Sequence, residues 1–248
     1  MEALRVEHLS KDFGGVRAVD DVSMSVAMGE RLAIIGPNGA GKTTLFNLLN
    51  GQLPPTDGKV YLFGREITHL PAYRRAHLGM ARSFQATTLF LNLRVMDNLL
   101  LALHGTRPSR FQMFRSGSAH KQLYIKAKEL LGLMGLWEKR NNRVDAISYG
   151  EQRKLEIALS LASEPKLLLM DEPSNGLTKA EGADIIGMIR DLGKDITVIL
   201  VAHDMDLVFG VAERIIVLHY GEVIAEGDPG EISRHPKVKA IYMGAEEI

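Results

Sequence analysis

The order strand, helix, strand along these 248 residues predicts an α/β fold, a parallel sheet with a helical subdomain inserted into it. Three observations carry that reading. Short apolar runs (RLAIIG from Arg31, LLLM from Leu167 to Met170, ITVILVA from Ile196 to Ala202) have the length of buried core strands. Segments of helical period lie between them. From about Ala86 to Glu164 strand patterns vanish and helical periodicity takes over, as in VMDNLLLAL and YIKAKELLGLMGL.

Taken in order, LRVEHLS and the alternating RAVDDVSMSV read as strands, followed by a turn at Met28-Gly29-Glu30. RLAIIG leads through a glycine-rich turn into the helix TTLFNLLN, which Gly51 closes as a C-terminal cap. Beyond the turn LPPTDGK, VYLFGREI alternates like another strand. Within the helical block, the polar, basic RPSRFQMFRSGSAH reads as a loop or short insertion. The strand pattern returns with KLLLMD, then a helix from about Lys179 to Leu192, then the strand ITVILVAHD. RIIVLHYGEVIAEG reads as a hairpin turning at Tyr220-Gly221. No repeat or heptad array is visible.

Thirty Lys and Arg balance thirty Asp and Glu, so no global field draws the chain to nucleic acid or anionic lipid. There is no cysteine, which excludes disulfides and thiolate metal sites and fits a reducing cytoplasm. The first residues carry charges where a secretory signal needs an apolar core. No apolar run approaches the roughly 20 residues of a spanning helix, so the chain is not expected to enter a bilayer by itself.

Gly36-Pro37-Asn38-Gly39-Ala40-Gly41-Lys42-Thr43 fits G-x-x-x-x-G-K-[ST], with a strand before it and a helix after it. Glycines let backbone N–H groups turn inward as an anion nest, and the helix N-terminus adds its positive dipole end. Lys42 is expected to reach the β- and γ-phosphates, Thr43 to coordinate Mg²⁺, and Thr44 to add a phosphate contact. Asp171 and Glu172 follow a buried strand at once, a costly place for two carboxylates unless they face a cation or water. Asp171 suits a direct or second-shell role on Mg²⁺, and Glu172 can polarise the attacking water as general base. His203 ends the next apolar strand. If that strand runs parallel to KLLLMD, His203 comes to the carboxyl edge of the sheet as a γ-phosphate sensor.

Ser148-Tyr149-Gly150-Glu151-Gln152 begins with a capping box, Ser148 with Glu151. It opens an amphipathic helix with Leu155, Ala158, Leu159 and Ala162 on one face. The phosphate loop, Gln85, S-x-G-E-Q, LLLMDEP and His203, in that order, resemble the ABC ATPase family across nearly the whole chain. The resemblance implies a RecA-like P-loop core with an N-terminal antiparallel β subdomain and an inserted α-helical subdomain. It implies one ABC ATPase domain over 1–248, with the β subdomain and core at 1–85 and 165–248 and the helical subdomain at 86–164. It also implies hydrolysis of ATP to ADP and phosphate with Mg²⁺, which Thr43, Gln85 and Asp171 would serve. Glu172, His203 and Lys42 would be the catalytic groups, and Asn38, Gly39, Ala40 and Gly41 would line the phosphates.

Further roles come from the same resemblance. Two such domains would close head to tail over two ATPs, Ser148, Gly150 and Glu151 meeting the γ-phosphate bound by the opposite subunit. Gln85 would join Mg²⁺ to the membrane-subunit interface, and Phe13 would stack on adenine with Ala18 nearby. Two positions depart from the usual pattern. L-S-G-G-Q reads Ile147-Ser148-Tyr149-Gly150-Glu151 here, and Thr178 stands where many members place Asp.

SYGEQRKLEIALSLA, HDMDLVF, VIAEGDPGEI and VKAIYMGAEE are similar to the LivG-type subunits of branched-chain amino-acid importers. This implies a peripheral subunit at the cytoplasmic face of the cell membrane, working with integral-membrane permease subunits and a second ABC ATPase, LivF-like or itself. A periplasmic or extracellular substrate-binding protein would take part indirectly, and nucleic acid would not. Urea or amide importers, a lipopolysaccharide exporter and a non-transport ABC scaffold are the alternative readings. A DNA-repair ATPase would need a coiled-coil insertion and a basic surface, and neither is visible.

Overall fold

The computed structural model describes residues 1–83, 89–105 and 117–243. β1 (Glu2–Phe13) and β2 (Val16–Ala27) form a long antiparallel pair. β3 (Arg31–Ile35) follows, every residue buried, and then α1 (Lys42–Asn50). Leu45, Phe46, Leu48 and Leu49 give α1 its buried face, and Gly51, left-handed at φ 81°, stops it by returning its N–H to the last turn. β4 (Asp57–Leu62) and β5 (Arg65–Glu66) come next. The segment VYLFGREI is therefore a tight hairpin, not one strand. Phe63 and Gly64 both take positive φ, and two consecutive left-handed residues reverse the chain with the twist a hairpin needs.

α2 (Ala72–His77), β6 (Met80–Ser83) and α3 (Val95–Gly105) lead to α4 (Gly117–Leu133). The loop expected over RPSRFQMFRSGSAH lies partly outside the described residues, and its last four residues, Gly117 to His120, already belong to α4. Two short 3₁₀ turns precede α5 (Tyr149–Leu161). β7 (Leu167–Asp171), α6 (Lys179–Asp191) and β8 (Thr197–Val201) then alternate as expected, and a short further helix, α7 (Met205–Val211), follows β8. β9 (Arg214–His219) and β10 (Glu222–Gly227) form the hairpin at Tyr220-Gly221, and α8 (Pro229–Arg234) and α9 (Pro236–Met243) complete the described chain.

One sheet has the order β2-β1-β4-β5 and is antiparallel. The other has the order β10-β9-β3-β8-β7-β6 and is parallel except for β10. The central strands β3, β7 and β8 read as nearly unbroken apolar runs because both faces are covered, whereas the edge strand β6 carries Arg82 and Ser83. Successive side chains point to opposite faces, so each strand supplies two cores. Leu32, Ile34, Leu167, Leu169, Ile199 and Val201 pack with α1 and the antiparallel sheet. Ala33, Leu168, Met170, Val198 and Leu200 pack on the other side with α3 to α7. Among the described residues no helix is long and apolar enough to cross a membrane.

Candidate active site

The phosphate loop joins the buried β3 to α1. Gly36 takes φ 156° and Gly41 φ 99°, and a Cβ at either would lie 2.2 Å from the Leu218 carbonyl oxygen or 2.3 Å from that of Ala18. Only glycine tolerates both the conformation and the approach. Gly39, also left-handed, has nothing within 4 Å on that side. The cap residue of α1 is Gly41, which has no side chain to bond the first-turn N–H groups. Those donors and the helix dipole make an anion site. Asn38, Gly39 and Thr43 are exposed there, Thr44 is half-buried and Ala40 is buried.

Lys42 completes the cradle. It is buried, and its ammonium donates to the carbonyls of Gly36 at 2.7 Å and Pro37 at 2.9 Å. Burial lowers its pKa, while the carboxylates of Glu172 and Asp171 act in the opposite direction. Lys42 and the acidic pair thus share one electrostatic site although 129 positions separate Lys42 from Asp171 in sequence (171 − 42).

β7 and β8 are adjacent and parallel, Asp171 opposite Val201. Asp171 is buried, and its Oδ2 accepts from Nη2 of Arg82 at 2.7 Å. Glu172 takes φ 47°, a left-handed strain held by its N–H bond to the Val201 carbonyl at 2.8 Å. Its carboxylate accepts from Asn175 Nδ2 at 3.1 Å and lies 3.5 Å from Nδ1 of His203. Glu172 is largely covered and His203 largely open, so a water or phosphate can reach the pair from the histidine side.

The structure brings Ala18 to this cradle too, since its carbonyl lies against Gly41. Phe13, the last residue of β1, is 46% exposed, with the Lys11 ammonium 5.3 Å from its ring centre. An aromatic face this open can accept a planar ring. Gln85 lies outside the described residues.

Ser148, Gly150 and Glu151 form a separate group at the start of α5. The capping box is complete: Ser148 Oγ accepts from the Glu151 N–H at 3.2 Å, and the Glu151 carboxylate accepts from the Ser148 N–H at 2.9 Å. Gly150 is buried with the Glu181 carboxylate so close that a Cβ would lie 2.3 Å from its Oε1. Among the described residues no hydrogen bond or ion pair joins these three to Lys42, Asp171, Glu172 or His203. Sequence reasoning missed Arg82, Asn175 and Glu181. Asn175 and Glu181 sit at an i+3 spacing from Glu172 and Thr178, a signal the sequence did carry.

The family model for ABC transporters matches residues 19–175, and that for branched-chain amino acid ATP-binding cassette transporters matches 222–248. The chain is 37% identical to the high-affinity branched-chain amino acid transport ATP-binding protein LivG of Salmonella typhimurium, covering 97% of each chain. It is equally 37% identical, with the same coverage, to the corresponding protein BraF of Pseudomonas aeruginosa. A crystal structure of an ATP-binding cassette of an ABC transporter in its ADP conformation superposes with a TM-score of 0.86 at 31% identity, covering 98% of this chain and 99% of the other. With the phosphate loop, the acidic strand end and these matches in one chain, this protein belongs to the ABC transporter ATP-binding family.

Proposed function

We propose that this chain is the ATP-hydrolysing subunit that powers uptake of branched-chain or related amino acids through separate membrane permeases. The observation that carries it is the convergence of Lys42, Asp171, Glu172 and His203 at the carboxyl ends of β3, β7 and β8. The amino-acid cargo rests on the relatives, whose names are those of branched-chain amino acid transport proteins.

In this reading the first turn of α1 and Lys42 hold the ATP phosphates, and the ring of Phe13 takes the adenine beside Ala18. Glu172 accepts a proton from water as the water oxygen bonds to the γ-phosphorus. The bond from that phosphorus to the β–γ bridging oxygen breaks, and ADP leaves with inorganic phosphate. Lys42 and His203 face the charge that develops on the transferring group. The Thr43 hydroxyl and the Asp171 carboxylate are hard oxygen donors that suit Mg²⁺, with water and phosphate oxygens as further ligands and Gln85 expected beside them. When bound, Mg²⁺ neutralises charge on the phosphate oxygens.

The open start of α5 would serve a second ABC subunit, whose γ-phosphate Ser148 and Gly150 would meet. A relative of known structure, 27% identical with a TM-score of 0.76, is described as dimeric in a post-hydrolysis state with ADP and phosphate bound. The second subunit is LivF-like or a copy of this chain, and the complex sits at the cytoplasmic face of the membrane. The division into β subdomain with core (1–85, 165–248) and helical subdomain (86–164) belongs to the same proposal.

Co-purification of the tagged chain from detergent-solubilised membranes tests the assignment. Recovery of two amino-acid-type permeases and a second ATPase is the expected result. Recovery of lipopolysaccharide-export components, or of soluble partners only, would overturn the cargo while leaving the ATPase.

A further inference from the structure

Arg82 does a task that neither the phosphate loop nor the acidic pair accounts for. It lies on the edge strand β6, its side chain 10% exposed against 1% for Asp171. Its two terminal nitrogens serve different elements. Nη2 donates to Asp171 Oδ2 at 2.7 Å, whereas Nη1 donates to Asn47 Oδ1 at 2.6 Å and to Gln52 Oε1 at 2.8 Å. Asn47 is on α1 and Gln52 follows its glycine cap, so one guanidinium ties the helix that begins at Lys42 to the strand that ends at Asp171. The ring of Phe46, also on α1, lies 5.8 Å from the guanidinium carbon.

Strand register makes this link possible. Arg82 pairs with Leu169, which shares a face with Asp171 because side chains two apart on a strand point the same way. That face is the one packed on α1. An arginine fork can hold a carboxylate and two amide oxygens at fixed angles, a geometry that a lysine ammonium does not reproduce. Loss of a group that orients a metal-binding side chain lowers metal affinity by about 10- to 100-fold.

We propose that Arg82 is a positioning residue of the hydrolysis site: it fixes the Asp171 carboxylate against α1, so that a divalent cation arriving with nucleotide meets that carboxylate in one orientation. The inference rests on the reading of Asp171 as the metal-facing carboxylate.

The test is Mn²⁺ affinity of the ADP-loaded chain, read as free Mn²⁺ by electron paramagnetic resonance. ADP affinity in EDTA and the melting temperature are measured alongside. Arg82→Gln is expected to weaken Mn²⁺ binding about 10- to 100-fold, the range for loss of a residue that orients a metal ligand, with ADP affinity in EDTA within about twofold. Arg82→Lys is expected to recover only part of the loss. Asn47→Ala keeps the guanidinium and removes one anchor, so a weakening of about threefold to tenfold is expected from a folded protein even where Arg82→Gln fails to fold. Unchanged or tighter Mn²⁺ binding in folded Arg82→Gln, full rescue by lysine, or wild-type binding in Asn47→Ala would overturn the proposal. Asp171→Asn separates the two levels. If it leaves Mn²⁺ affinity unchanged, the metal-facing reading of Asp171 is what fails. If it weakens binding while Arg82→Gln does not, only the role of Arg82 fails.

Discussion

The carboxyl edge of the parallel sheet and the start of α5, the two regions proposed to meet phosphate, are built in opposite ways. At the sheet edge the groups sit on buried strands. Lys42 and Asp171 are buried, Glu172 is held in a strained left-handed turn, and Arg82 and Asn175 brace the carboxylates. At α5 the Ser148 side chain is exposed and spends its hydrogen bond on its own helix. The first region gathers Lys42, Asp171, Glu172 and His203 within one chain. The second is an N-terminus folded upon itself, with nothing from the first region bonded to it among the described residues.

Substitutions can break or sharpen this contrast, beginning with the largest effect. Glu172→Gln keeps shape but loses the base, and turnover is expected to fall by about 10² to 10⁴, the usual worth of a positioned general base. ATP affinity should stay near wild type. Steady-state hydrolysis with a nucleotide titration checks both, and retained turnover would remove Glu172 from its role. Lys42→Met deletes the charged donor to phosphate, and with the net loss of one charge-assisted bond worth about 1.5–3 kcal/mol nucleotide affinity should fall roughly 10- to 100-fold by calorimetry.

Phe13→Ala should weaken nucleotide binding by about threefold to tenfold, as loss of an aromatic stack of about 0.5–1.5 kcal/mol requires. Ser148→Ala should behave differently from all of these. Loss of the cap is expected to cost about 1 kcal/mol in urea unfolding while ATP affinity of the isolated chain stays unchanged. A drop in that affinity would mean that α5 serves its own subunit's nucleotide, and the contrast would collapse.

The smallest effect concerns the helix behind the phosphate loop. Burial pushes the Tyr242 phenol up to about 12, against a smaller opposing influence of the Gly36 backbone. The folded state then keeps a proton that the unfolded chain releases near pH 10. Its contribution to stability is full below pH 10 and is lost as pH rises toward 12. Tyr242→Phe should flatten that alkaline fall in melting temperature.

The parts of the site legible in sequence are those written in consecutive residues. The phosphate loop, the capping box at Ser148 and the turn at Tyr220-Gly221 each depend on backbone conformations that a few neighbouring residues dictate. The place of His203 at the carboxyl edge is legible too, because it ends an apolar strand, whereas its approach to Glu172 depends on β7 and β8 being neighbours. What escaped notice depended on short elements or distant partners. β6 has only four residues, too few for a period, so Arg82 gave no sign of facing Asp171. VYLFGREI alternates like a single strand through Phe63-Gly64, and the hairpin shows only where both residues take positive φ.

Local sequence thus determined the α/β class, the glycine-rich anion cradle and the candidate base, metal-facing carboxylate and cation, because turn chemistry and hydrophobic period act over a few residues. Only tertiary structure decided which charges share a field. The register that sets Arg82 against Asp171, and the burial that lowers the pKa of Lys42, arise from strands far apart in the chain packing side by side, where low local dielectric makes each neighbour count.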